Sequence, residues 1–481
     1  MQTSTAYDDK RIYTDICPKK KITDVNPREN TPCTISSFRP QSHVEENAFH
    51  LSNRRWLILM AYCLLTLSAG SSWLCFPAVS NIMKVYYNIG ILAVNMLSII
   101  FGIAIVIFSL PFATFLGKFG LGATLKLAAF ANVAGASVKY FSTNSDYGYW
   151  FLLIGNALVA ISVAGFLFLP GQIVSTWFSE KEIGKTTSVC IAFDALGPGL
   201  GFLHATYMIR NSNNTNVIGS SIQSFLLSQL VPAVFVFGFV LVTVKSKPKH
   251  PPNLSAKIFK NEHNKIQDNN IYRYHHSLKS AIFMLLKNVD FHFVIHLQGI
   301  TASIEGIFEI LLNEMLIELY PGQEQGIGMI GFLAVIFGFS SNILVGSIID
   351  KTGSYRKVTF GVFFLTTFFC IVWSVLLKYV LDIIFTGLIY CLLMATSTSY
   401  YTIAFVHGLH VAEPISPSVT GIVLVLTSQI YDTVASFIAT QILAEIGVNG
   451  VNGTAIVVCV FAIILSLFLK SDLRKPDPQQ V

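Results

Sequence analysis

Residues 92–116, LAVNMLSIIFGIAIVIFSLPFATFL, run 25 positions without one Lys, Arg, Asp or Glu. At about 1.5 Å per residue an α-helix of that length exceeds the roughly 30 Å of hydrocarbon in a bilayer. A charge at the bilayer centre costs at least about 2.5–3.5 kcal/mol, which explains why lipid, and not water, keeps so long a stretch uncharged. Working outward, runs of roughly 18–25 nearly uncharged residues lie near 56–78, 123–141, 149–175, 186–209, 221–244, 291–316, 327–349, 358–377, 381–406, 418–442 and 452–470. With 92–116 they make twelve spans, joined mostly by short polar loops.

Composition agrees. The 481-residue chain is 53% hydrophobic and 12% charged, against about 25% charged in soluble domains. If both termini face the cytoplasm, all of the 32 Lys and Arg except Lys84, Lys139, Arg210 and Lys378 fall on that side, as the positive-inside rule requires. The formal charge of +6 then reports loop orientation and contact with an anionic inner leaflet. No basic patch is interleaved with base-stacking aromatics, so nucleic acid is not an expected partner. Cys63, Cys75, Cys190, Cys370, Cys391 and Cys459 fall in apolar spans, Cys17 and Cys33 in the N-terminal tail, and none has CxxC spacing. That pattern supports neither a disulfide framework nor a metal site, and no cofactor is expected.

The expected organisation is a disordered cytoplasmic tail (1–53), a six-helix bundle (54–244), a cytoplasmic linker (245–290), a second six-helix bundle (291–470) and a cytoplasmic tail (471–481). The first span serves as insertion signal, because no apolar signal-peptide core lies near Met1. The linker holds KSKPKHPP (245–252) and the amphipathic run HSLKSAIFMLLKN (276–288), which predicts an interfacial helix leading into span 7. Six spans plus six imply two bundles related by pseudosymmetry, with a substrate site between them near the midplane and access alternating as they rock. Asn213-Asn214-Thr215 places a glycosylation acceptor, Asn213, in the outer loop between spans 5 and 6.

Between spans 8 and 9 the sequence reads GSIIDKTGSYRK (346–357). Gly346, Asp350, Gly353, Arg356 and Lys357 resemble the cytoplasmic signature of the major facilitator superfamily, with the basic residues two places late. The resemblance implies an all-α membrane protein with the twelve-helix fold of that superfamily. It also implies a latch in which a carboxylate beside a tight glycine turn pairs with basic groups in one conformer only. The equivalent loop of the first half, GKFGLG (117–122), lacks the carboxylate. NRRWL (53–57), Trp73 followed by Ser80-Asn81, LPGQIVSTWFSEKEIGKTTS (169–188), KPKHPP (247–252) and KSDLRK (470–475) are more specific. Together they resemble the feline leukaemia virus subgroup C receptor-related family, whose members move choline and ethanolamine and some of which have been described as haem exporters. That resemblance places the family's cation-facing aromatic at Trp73 and a family glutamine at Gln429, whereas another family glutamine is replaced by Val163.

The residues themselves add a pattern that the family does not predict. Asp194 in span 5, Glu305, Glu309 and Glu314 in span 7, and Asp432 in span 11 are carboxylates inside apolar spans, with no Lys or Arg at matching depth. Such groups face a cavity, stay protonated, pair with a histidine such as His296, His407 or His410, or meet a cation from solution. Glu305 and Glu309 share one helical face, and Gln429 and Asp432 another. Gln298 completes the candidate set. Gly197-Pro198-Gly199 beside Asp194 is expected to kink span 5 and free carbonyls.

An indole face attracts a quaternary ammonium, and amides hydrogen-bond without charge. The leading expectation is therefore a facilitative plasma-membrane transporter of choline-like cations, monomeric, in the lipid bilayer. Alternatives are an exporter of haem or another amphipathic metabolite, a proton-coupled symporter, and a non-transporting receptor. An enzyme is not expected, since HExxH and GxSxG motifs are missing.

Overall fold

In hydrocarbon a backbone N–H finds no water, so each crossing segment must satisfy its own hydrogen bonds, and here it does so as helix. A computed structural model describes residues 52–143, 147–179, 182–245, 280–379, 382–413, 415 and 417–469. Both tails and most of the linker, including KPKHPP and KSDLRK, lie outside the described residues.

The helices in chain order are α1 (Arg54–Gly70), α2 (Ser80–Tyr87), α3 (Ile91–Tyr140), α4 (Gly148–Phe166), α5 (Leu169–Trp177), α6 (Ile183–Met208), α7 (Thr215–Thr243), α8 (Val289–Ile317), α9 (Glu324–Thr352), α10 (Tyr355–Leu376), α11 (Ile383–Thr398), α12 (Tyr400–Ala412), α13 (Pro417–Ile446) and α14 (Val448–Ser466). Nine helical segments among the described residues are long and apolar enough to cross a membrane. One of them, α3, has 50 residues, about 75 Å of helix, and so crosses twice. It turns at Gly120, whose φ of 79° favours glycine. Adding the first span, interrupted after Gly70, and α8, whose carboxylates make it less apolar, accounts for twelve crossings.

Spans 1, 4 and 10 are each made of two helical pieces. In span 4 the cause is Pro170 at the start of α5, which has no N–H to continue the ladder from α4. Pro198, by contrast, stays inside an unbroken α6. At Gly197-Pro198-Gly199, Gly197 lets the backbones of α6 and α1 meet at Gly70, and Gly199 packs on Val335 of α9. Small residues here serve close helix approach.

One apolar core gathers α3, α4 and α6 around α1, and a second surrounds α8. The halves meet where α6 packs on α9 and α3 on α13. Residues 280–287 are helical, and Phe283, Met284 and Leu286 are exposed.

Candidate functional site

Helix α1 ends at Gly70, and the chain bends through 71–76 before a short 3-10 turn, Pro77–Val79. Trp73 lies in that bend. Ser98 of α3 donates its hydroxyl to the Trp73 carbonyl, and the indole stacks on Phe101 with centroids 5.3 Å apart and planes 12° apart. The ring is half-buried and packs against both apolar cores, the second of which also takes in Leu74 and Ile99 of the first half. Gly102, next to Phe101, is where α3 meets α13: a Cβ there would overlap the Thr433 hydroxyl and come within 3.5 Å of the Gln429 carbonyl. Trp73 and Gln429 thus flank one helix crossing. The side-chain oxygen of Gln429 is buried and has no hydrogen-bond partner among the described residues.

One turn along α13, Asp432 reaches α8. Its carboxylate lies on the backbone of Gly306, where any Cβ would collide with it, and accepts a hydrogen bond from Ser436 at 3.1 Å. Glu305 and Glu309, on either side of Gly306, are its electrostatic neighbours, and Tyr401 of α12 lies beside Glu305. Among the described residues no Lys or Arg acts on this cluster. All three acids are partly exposed, and Ser436 supplies a neutral hydrogen bond to Asp432. Gln298, two turns before Glu305 on α8, is 5% exposed and leaves its carbonyl oxygen unpartnered. Asp194 stands apart in the first half, beside Tyr62 and Cys190.

A family model described as Major Facilitator Superfamily matches residues 61–431. The chain belongs to that superfamily. This major facilitator is 26% identical over 97% of its length to the choline/ethanolamine transporter FLVCR1 of Felis catus, covering 81% of it. It is 25% identical to flvcr2a of Danio rerio, also named a choline/ethanolamine transporter, over 92% of each chain. Among solved structures, a bacterial homologue of the human lysosomal transporter Spinster matches with a TM-score of 0.67 at 10% identity, covering 87% of this chain and 97% of that one. The Escherichia coli xylose transporter XylE matches at 0.65 and 13%, covering 89% and 100%. Family and fold are those of multi-pass membrane transporters of small molecules, not of enzymes.

The polar contacts of this major facilitator are asymmetric. At the rim where Glu324 begins α9, Ser80 donates to Asn313 (3.0 Å), Asn313 to the Ala78 carbonyl (2.8 Å), Asn81 and Asn211 to Glu324 (3.2 and 2.7 Å), and Asn95 to Thr440 (3.1 Å). Lys84 pairs with Glu314 at 3.0 Å, which corrects the expectation that no cation matches this acid. Every one of these joins the two halves. At the opposite rim, marked by Gly353, no hydrogen bond between the halves occurs among the described residues. There Gly353 caps α9 with φ 60°, while Asp350, Arg356 and Lys357 are exposed and make no ion pair among the described residues. Gly346 is less constrained, with Thr402 at an ordinary 3.5 Å.

The histidines do not meet the acids. His296 bonds the Tyr431 hydroxyl at 2.8 Å, His407 stacks on Tyr355, and His410 lies 4.0 Å from Glu413. Val163 is buried in the first core. Asn213 is exposed, and Asn452, which begins a second sequon, Asn452-Gly453-Thr454, is buried. Sequence reasoning missed Phe101, Tyr401 and Gly306, whose roles depend on partners in other spans. It also placed Lys139 with the outer-side cations without foreseeing its burial, and Lys139 is 1% exposed.

Proposed function

We propose that this chain is a facilitative transporter of choline-like organic cations that works by alternating access. The observation that supports this most is the placement of Trp73, an indole between the two cores, one helix crossing from Gln429 and the Asp432–Glu305–Glu309 acids. An ammonium gains about 0.5–2 kcal/mol on an indole face, and the acids supply charge where no protein cation does. Gln298 adds an amide on the same helix as Glu305, and Asp194 is a separate candidate contact in the first half. No contact of His296, His407 or His410 favours a haem reading.

The positive-inside bias makes the Gly353 rim cytoplasmic, with both termini on that side of the plasma membrane. The conformer is then sealed outward by the Glu324 contacts and released inward. Asp350, Arg356 and Lys357 form the latch that closes the inner rim when the outer one opens, around Gly346 and Gly353. On this reading Asn213 is an outward glycan acceptor. The transporter acts as a monomer and has no nucleic-acid partner.

The test is uptake of labelled choline by cells expressing wild type and Trp73→Ala at matched surface levels. Uptake at low substrate should fall roughly 2- to 30-fold, the range of the cation–π energy. Equal uptake removes Trp73 from the site.

A further inference from the structure

Lys139 is the last-turn lysine of α3, and its ammonium is enclosed. A buried ammonium is costly unless negative charge and hydrogen bonds surround it. Among the described residues Lys139 has no carboxylate partner: it donates to the Ser72 hydroxyl and to the Gln229 side-chain oxygen, both at 2.8 Å. Its compensation is these two neutral acceptors, one of which, Ser72, lies two residues past Gly70, the last residue of α1.

The neighbourhood is shaped around this contact. Asn132, two turns earlier on α3, donates to the Ser68 hydroxyl at 2.9 Å, so one face of α3 grips α1 at both sides of its end. Gly155 of α4 leaves the space through which the Lys139 stem passes; a Cβ there would overlap Lys139 Cγ and lie 2.9 Å from its amide nitrogen. Ser72 precedes Trp73, whose own carbonyl is held by Ser98. The backbone is thereby pinned on both sides of the bend.

We propose that Lys139 is a positioning residue of the substrate site: through Ser72 it holds the bend after α1 in the one geometry that presents the Trp73 ring between the two cores. The assignment rests on the cation-transport reading for its consequence in uptake, but the geometric claim stands on its own. Lys139 does not touch substrate. It acts from behind the bend.

The experiment uses the full chain carrying 5-fluorotryptophan, whose five tryptophans give separate fluorine resonances, with that of Trp73 identified by its loss in Trp73→Phe. Lys139→Met should displace or broaden the Trp73 resonance and leave the other four in place, and Lys139→Arg should restore it in part. In parallel, labelled choline uptake should show KM raised roughly 3- to 10-fold by Lys139→Met at little changed maximal rate per surface transporter. In a Trp73→Ala background the same substitution should raise KM no further. An unmoved Trp73 resonance, or five resonances moved alike, overturns the proposal, as does an equal KM increase with and without Trp73. If wild type takes up no choline, the cation reading fails, and the fluorine spectrum still decides whether Lys139 holds Trp73.

Discussion

Gly306 and Asp432 interlock: the carboxylate of α13 occupies the volume that any side chain on residue 306 of α8 would fill. Replacing glycine by alanine inside a helix ordinarily stabilises it by about 1 kcal/mol. At Gly306 the added methyl instead forces Asp432 away or the helices apart, at a cost of about 1–3 kcal/mol for overpacking. Gly306→Ala is expected to lower both the melting temperature of the purified protein and choline uptake. Gly361→Ala, where a Cβ meets no atom within 4 Å, should do neither. A Gly306→Ala protein that melts and transports like wild type contradicts the interlock.

Glu305, Glu309 and Asp432 are electrostatic neighbours, and Asp432 accepts a hydrogen bond from Ser436. If they attract a cation, Glu305→Gln and Asp432→Asn should each raise the KM for choline several-fold, and the double variant should exceed either. Proton coupling makes a different prediction for the same residues, namely uptake that rises with an imposed inward pH gradient and loses that response in Glu305→Gln. Uptake indifferent to the gradient in wild type leaves the facilitative reading standing.

How much of this was legible in the sequence follows from the range of each interaction. Charge-free runs fix crossings locally, which is why the interval 92–116 reads correctly, and Gly353 announces its turn by its own conformational need. The three two-piece spans were less visible, since only Pro170 advertises one of them. Contacts between halves have no local signature. Nothing around Glu314 names Lys84, 230 residues away, and nothing around Lys139 names Ser72 or Gln229. Gly197-Pro198-Gly199 suggests a kink from local chemistry, whereas its close packing on Gly70 has no local signature.

Glu324 is 8% exposed and accepts hydrogen bonds from Asn81 and Asn211. Hydrogen bonds to a charged group contribute about 1.5–3 kcal/mol each, and these exist only while the halves meet at this rim. Glu324→Ala should therefore shift the population toward the conformer opened there by roughly tenfold or more. Spin labels placed across the rim on α2 and α9, read by pulsed dipolar spectroscopy, should show a growing long-distance fraction. An unchanged distance distribution would mean that apolar packing alone closes the rim.

Glu182 sits just ahead of α6, where burial pushes its carboxyl up but the Ser179 hydroxyl and amide and the Arg55 guanidinium, 2.6 Å away, outweigh that and hold it below the ordinary glutamate range. Arg55 in turn lies 5.3 and 5.5 Å from the Trp56 and Phe178 ring centroids. A carboxyl whose folded pKa is depressed stabilises the fold above its unfolded pKa and ceases to as pH falls through the lower folded value. Both partners are partly exposed, so solvent screening keeps the pair near about 1 kcal/mol or below. Glu182→Gln should then melt slightly below wild type at pH 7, and the gap should close as pH is lowered through the acidic range. A gap that persists unchanged into acid would assign the effect to packing around Arg55 and not to its charge.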